Sequence, residues 1–160
     1  MRRVMISTSA VLAALVVSVA GMSSSALAAD EVDGSDIVGN WSYFSKVQKG
    51  VESKADDATN NQIQLVGVEF EEMNWKAKIG PKEAPIEITG TYAIDANQTP
   101  RVLDLRIAGG DGNATDIPAI YKVDKDTLSI RIREGGGQRP PDFDTPADDC
   151  LTVVFKRAEK

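Results

Sequence analysis

Apolar and polar positions alternate along most of the chain, with the period of two expected of a strand that has one covered face. The alternation is cleanest between residues 86 and 95. Ile86, Ile88, Gly90, Tyr92 and Ile94 take one side, and Glu87, Thr89, Thr91 and Ala93 the other. Leu103, Leu105 and Ile107 alternate with Asp104 and Arg106. Ile117, Ala119, Tyr121 and Val123 form the next face, and Leu128, Ile130 and Ile132 the one after. Earlier, Trp75, Ala77 and Ile79 share a face opposite Lys76 and Lys78. Between 62 and 70 the pattern blurs. Ile63, Leu65 and Gly67 fall on one side and Gln64, Val66, Val68 and Phe70 on the other, so neither side is polar. Strands over 41–47 and 151–156 complete the set.

The connections carry turn chemistry. Gly80-Pro81 ends one strand, residues 96–100 and Asp124-Lys125-Asp126 turn the chain, and Gly109-Gly110-Asp111-Gly112-Asn113 supplies positive φ at low cost. Residues 48–59, with Gly50 and Asp56-Asp57, read as a loop. Residues 134–149 are the longest break in the pattern, with three glycines, three prolines and four aspartates. Only Asp36-Ile37-Val38 suggests a helical turn, with Asp36 as its cap. About eight successive strands joined mostly by short turns predict an all-β antiparallel meander, closed into a barrel or folded into a sandwich. Closure is favoured because it removes exposed strand edges.

The N-terminus changes the domain count. Arg2 and Arg3 precede an apolar run at 11–20, too short to span a bilayer, which takes roughly 20 residues. Ala26-Leu27-Ala28 then offers a signal-peptidase site. The expected division is a signal peptide over 1–28, a flexible lead-in with the short turn over 29–38, and one β domain over 39–160. No cysteine lies near the cleavage site, which excludes a lipoprotein anchor. The flanks of Arg2-Arg3 favour the general secretory route over the twin-arginine one. The expected location is periplasmic or secreted, with no stable membrane insertion after cleavage. Losing the two arginines takes Lys+Arg from 18 to 16 against 24 Asp+Glu, a net charge of about −8. A chain this acidic has no basic surface for nucleic acid. There is no histidine and one cysteine, Cys150. An internal disulfide, a Ser-His-Asp triad, a Cys-His pair and a histidine zinc site are all excluded. Cys150 opens the last apolar run and reads as a buried small hydrophobe.

The mature chain resembles a small exported lipocalin-like domain family found in many copies in planctomycete-type bacteria. The resemblance rests on Gly39-Asn40-Trp41, Gly90-Thr91-Tyr92-Ala93-Ile94-Asp95 and Pro100-Arg101-Val102-Leu103-Asp104-Leu105. It continues through Ile120-Tyr121, Asp126-Thr127-Leu128-Ser129-Ile130, Arg139-Pro140-Pro141-Asp142-Phe143 and Phe155-Lys156-Arg157. Ala119 stands where a glycine is usual, and Arg131 where a cysteine is common. The resemblance implies an eight-stranded lipocalin-like (calycin-type) barrel of unestablished function. It further implies that Trp41 packs across the closed end and is covered by Arg157, a structural latch and not a binding site.

The remaining candidates concern the barrel interior and the long break. Tyr92 and Tyr121 should point inward, and with Ile88 and Leu105 they would line a cavity for a small apolar ligand. The other reading is an interior filled by side chains, with the domain acting through its loops. Arg139 could hold an anionic group, or pair with Asp142 or Asp144 while Phe143 plugs a barrel mouth. The aspartates of 134–149 lack the order of a calcium loop, so neither metal nor cofactor is expected. Glu87 and Asp104 should face solvent opposite lysine or arginine, and no carboxylate pair is brought together for hydrolysis. The chain reads as a non-enzyme.

Overall fold

The computed structural model describes residues 34–56, 65–81, 83–109 and 113–159. The expected signal peptide, Ile63 and the Gly110-Asp111-Gly112 part of the glycine turn lie outside the described residues. Nine strands follow one another: β1 Gly39–Gln48, β2 Val51–Lys54, β3 Leu65–Glu71, β4 Asn74–Ile79 and β5 Ile86–Asp95. They continue as β6 Arg101–Ala108, β7 Ala114–Asp124, β8 Thr127–Arg133 and β9 Cys150–Arg157. All neighbours pair antiparallel, and β9 returns to pair with β1 from Trp41↔Arg157 to Gln48↔Leu151. Eight strands thus close a barrel, and β2 hangs on the far half of β1 as a ninth.

β2 falls in the stretch expected to be a loop. Its four residues are too few for a hydrophobic period, and only Ser53 is even partly covered. What makes it is the two-residue turn Lys49-Gly50, with φ of 51° and 74°. Two successive positive φ values match the turn whose twist suits a hairpin. β7 also starts earlier than its pattern suggested, because Ala114, Thr115 and Asp116 are all exposed and show no covered face.

The inner face follows the alternation. Register places Tyr92 beside Leu105, Leu103 beside Ala119, Ala119 beside Ile132 and Tyr121 beside Ile130. Trp41, Phe70, Tyr121, Leu103 and Leu128 are all but fully buried. Each such side chain contributes about 1.5–3 kcal/mol by leaving water. Phe70 meets Tyr92 edge to face at 5.1 Å between centroids. The outer wall is polar: Lys78 stands opposite Glu87, and Arg106 opposite Asp116. This is the reverse of a membrane barrel, whose outward band is apolar. No helix among the described residues is long and apolar enough to cross a membrane.

Two bulges explain the blurred segments. In β3 the pairing with β4 steps from Leu65↔Ile79 to Gly67↔Lys78, leaving Val66 over. Leu65 therefore shares the interior with Val68 and Phe70. In β1 the pairing with β9 steps from Tyr43↔Phe155 to Ser45↔Val154, leaving Phe44 over. Past that point the inward set becomes Lys46 and Gln48, opposite the inward-facing Val153 and Leu151. An extra residue shifts every later side chain to the other face.

Segment 134–149 is a strap on the outer wall. Arg131, buried on that wall, donates to the carbonyls of Phe143 and of Thr145, the latter at 2.5 Å. The Lys122 ammonium lies 4.6 Å from the Phe143 ring centroid. Phe143 thus packs outside the barrel and does not plug a mouth. Arg139 pairs with Asp104 at 2.8 Å, not with Asp142 or Asp144. It also donates to the carbonyls of Leu103 and Ala119, at 3.2 and 2.7 Å. The guanidinium thus supplies donors beside Pro118, which has no N–H to give.

Candidate functional site at the open end of the barrel

The two ends of the barrel differ. One is capped by a single 3-10 turn, Ser35–Ile37, which puts the fully buried Ile37 into the core. The short turn expected at 36–38 thus forms at 35–37, and Ile37 packs it onto the barrel. Asp36 does not cap the turn, where Gly34 holds the cap position without a side-chain bond. Its carboxylate accepts from Arg101 instead. Trp41 Nε1 donates to the Ile37 carbonyl at 2.7 Å. The Arg157 guanidinium lies 4.2 Å from the Trp41 ring centroid. It also donates to the carbonyls of Val38 and Asp36, at 3.2 and 3.1 Å. Gly39 has a φ of 129°, and a β-carbon there would stand 3.0 Å from Arg157 Nη1. The Gly39-Asn40-Trp41 stretch and Arg157 therefore form one assembly that holds the cap down.

Tyr121 belongs to this end. It is buried, with the Arg101 guanidinium 5.9 Å from its ring centroid. Burial raises its pKa above the ordinary tyrosine value, and the Asp36 charge raises it further against the opposing pull of Arg101. Burial alone raises Tyr92. Neither ring lines the apolar cavity at the other end: Tyr92 is packed on Phe70, and Tyr121 lies beneath the cap.

The uncapped end holds an apolar cavity of about 120 Å³. Phe70, Trp75 and Phe155 contribute aromatic rings to its lining. Leu65, Ala77 and Leu105 line one side, and Ile130, Ile132 and Val153 the other. Trp75 keeps its polar edge out of the cavity by donating Nε1 to the Thr91 carbonyl at 3.0 Å. Of the residues expected to line an interior site, Leu105 lies in the wall. Ile88 is one step away, paired with the lining residue Ala77. Arg139 is on the outer wall and cannot serve this cavity. The other nine lining residues were not expected at a site. Trp75, Ala77, Ile130 and Ile132 lie on faces that the alternation marks as apolar, whereas the bulge at Val66 displaces Leu65 from the alternation of Val68 and Phe70.

A second depression, of about 170 Å³, is larger but lies on the outer wall. Its lining mixes Asn40, Ser42, Glu69, Lys76 and Lys78 with Val66, Val68 and Ala158. Among the described residues no three Cys, Asp or Glu side chains gather closely enough to hold a metal ion. Compared with family models, curated proteins and solved structures, the chain matches none.

Proposed function

We propose that the chain is an exported, lipocalin-like binding module that takes a small apolar group into the open end of its barrel. One observation carries this reading: a closed barrel, sealed and packed at one end, keeps an apolar cavity at the other. At about 120 Å³ the cavity is well above the space of a single water. It falls short of the roughly 300–1,000 Å³ of pockets that enclose a whole drug-sized ligand. A comparable apolar cavity of about 150 Å³ in another protein accepts benzene. The fitting ligand is therefore one ring or the end of a short chain, with the rest of the molecule outside. The apolar lining, without paired titratable groups, suits holding a molecule and not transforming it. The export route and the lipocalin-like type belong to the same proposal, supported by the sequence motifs and the closed eight-stranded barrel.

Titration with 1-octanol, followed by the emission of Trp75, tests the reading. Saturable binding is expected, and Leu105→Trp, which fills the cavity, should abolish it. A flat titration of the wild-type protein overturns the proposal. The second reading, a domain that acts through its loops, is favoured by a different observation. Most of the interior is filled, and Met73, on the turn between β3 and β4, is 70% exposed.

A further inference from the structure

Of the side chains that β-register directs to the inner face, three carry positive charge: Arg101, Arg157 and Lys46. Arg101 and Arg157 lie at the capped end and are committed, one to Asp36 and the other to Trp41 and two carbonyls. Lys46 is different. The Phe44 bulge turns it inward, directly opposite Val153, which lines the apolar cavity. It is only partly exposed, and it makes no ion pair among the described residues. Directly paired side chains in a sheet start about 5 Å apart, so a lysine stem rooted opposite Val153 is long enough to bring its ammonium to the cavity mouth. Two nearby side chains are already engaged: Gln48 donates to Glu134, and Arg133, on the outer face of β8, pairs with Asp149 at 2.6 Å.

An inward cation beside an apolar cavity calls for a reason, because moving charge off bulk water costs free energy unless a partner returns it. The overall charge of the protein is negative, so a general attraction for anions cannot explain the placement. We infer that Lys46 receives the head group of a monoanionic amphiphile whose apolar end fills the cavity. The inference rests on the binding reading above and names its ligand class: a free carboxylate with an apolar group of about one ring or a few carbons.

Octanoate and 1-octanol, titrated at neutral pH, separate the two ideas. They share a chain and differ in the head group. Wild-type protein should bind octanoate about threefold or more tightly than octanol, the scale of a partly exposed ion pair. Lys46→Met should remove that preference, while Lys46→Arg should keep it. If octanol binds but octanoate binds no better, or if the preference survives in Lys46→Met, the Lys46 inference is overturned and the cavity reading stands. If neither binds, the cavity reading itself fails and takes the inference with it.

Discussion

Removing the arginine that covers Trp41 is the sharpest test of how the capped end holds together. In Arg157→Ala the indole loses a guanidinium 4.2 Å from its ring centroid. A cation over an indole face contributes about 0.5–2 kcal/mol, rising with desolvation. Trp41 is 2% exposed, but the arginine is open to solvent on its outer side, which places this part near the middle of the range. The bonds to Val38 and Asp36 add less, since those carbonyls can turn to water once released; about 0.5 kcal/mol each is the scale. The expected loss is about 2 kcal/mol, and for a domain of this size that lowers Tm by roughly 5–10 °C. Urea denaturation should show a lower midpoint with an unchanged slope, because the surface exposed on unfolding is the same. Arg157→Lys should recover about half of the loss, since an ammonium keeps the charge over the ring but cannot reach both carbonyls. A cycle with Trp41→Phe isolates the pair, and a coupling of about 0.5–1 kcal/mol is expected. A Tm shift below about 1 °C in Arg157→Ala, or no coupling in the cycle, would refute the latch.

Gly90→Ala should destabilise by about 1–3 kcal/mol or block folding, read by thermal melts. Its β-carbon would overlap the Arg106 carbonyl and stand 2.7 Å from Trp75 Nε1. Arg131→Ala should release the strap: limited proteolysis within 134–149 should accelerate, while the barrel signal in circular dichroism persists. Acid should loosen the same strap. Bonds from the Thr145 amide and hydroxyl, helped by the Asp144 amide, hold the Asp142 carboxyl below its ordinary value of about 3.9. The resulting stabilisation is present above that value and is lost as pH falls through the lower folded-state value, which faster exchange of the Thr145 amide should report. At the other extreme, Tyr92 and Tyr121 have raised folded-state pKa values, so their contribution is intact below about pH 10 and is lost as pH rises beyond it. Tyrosinate absorbance should therefore appear together with unfolding, and free ionisation of all tyrosines in the folded protein would contradict their burial.

How far the sequence could be read depended on where one residue per strand position is the rule. From Asn74 onward the inward set was legible by period alone, and the packing of Trp75, Tyr92, Leu103, Tyr121 and Leu128 follows it. The exceptions have physical causes. Two extra residues, Phe44 and Val66, reverse the alternation without leaving a gap in composition. Four residues of β2 are held by a turn and one neighbour, with no covered face to impose a pattern. The candidate site inherits this unevenness. Leu105 lies on a regular strand and was found. Leu65 lies just before the bulge at Val66, so counting by two puts it on the face opposite Val68 and Phe70, and Lys46 lies just past the bulge at Phe44, so counting by two sends it to the outside of a wall that contains Trp41. The bulge in β1 thus does more than adjust twist. It lets one strand place Trp41 under the latch at the capped end and, five residues later, turn a lysine toward the mouth of the cavity. A strand of unbroken alternation could offer the same face to Trp41 and Val47, but not to Trp41 and Lys46. The irregularity that obscures the first strand in the sequence is what joins a stabilising end to a candidate binding end within one element.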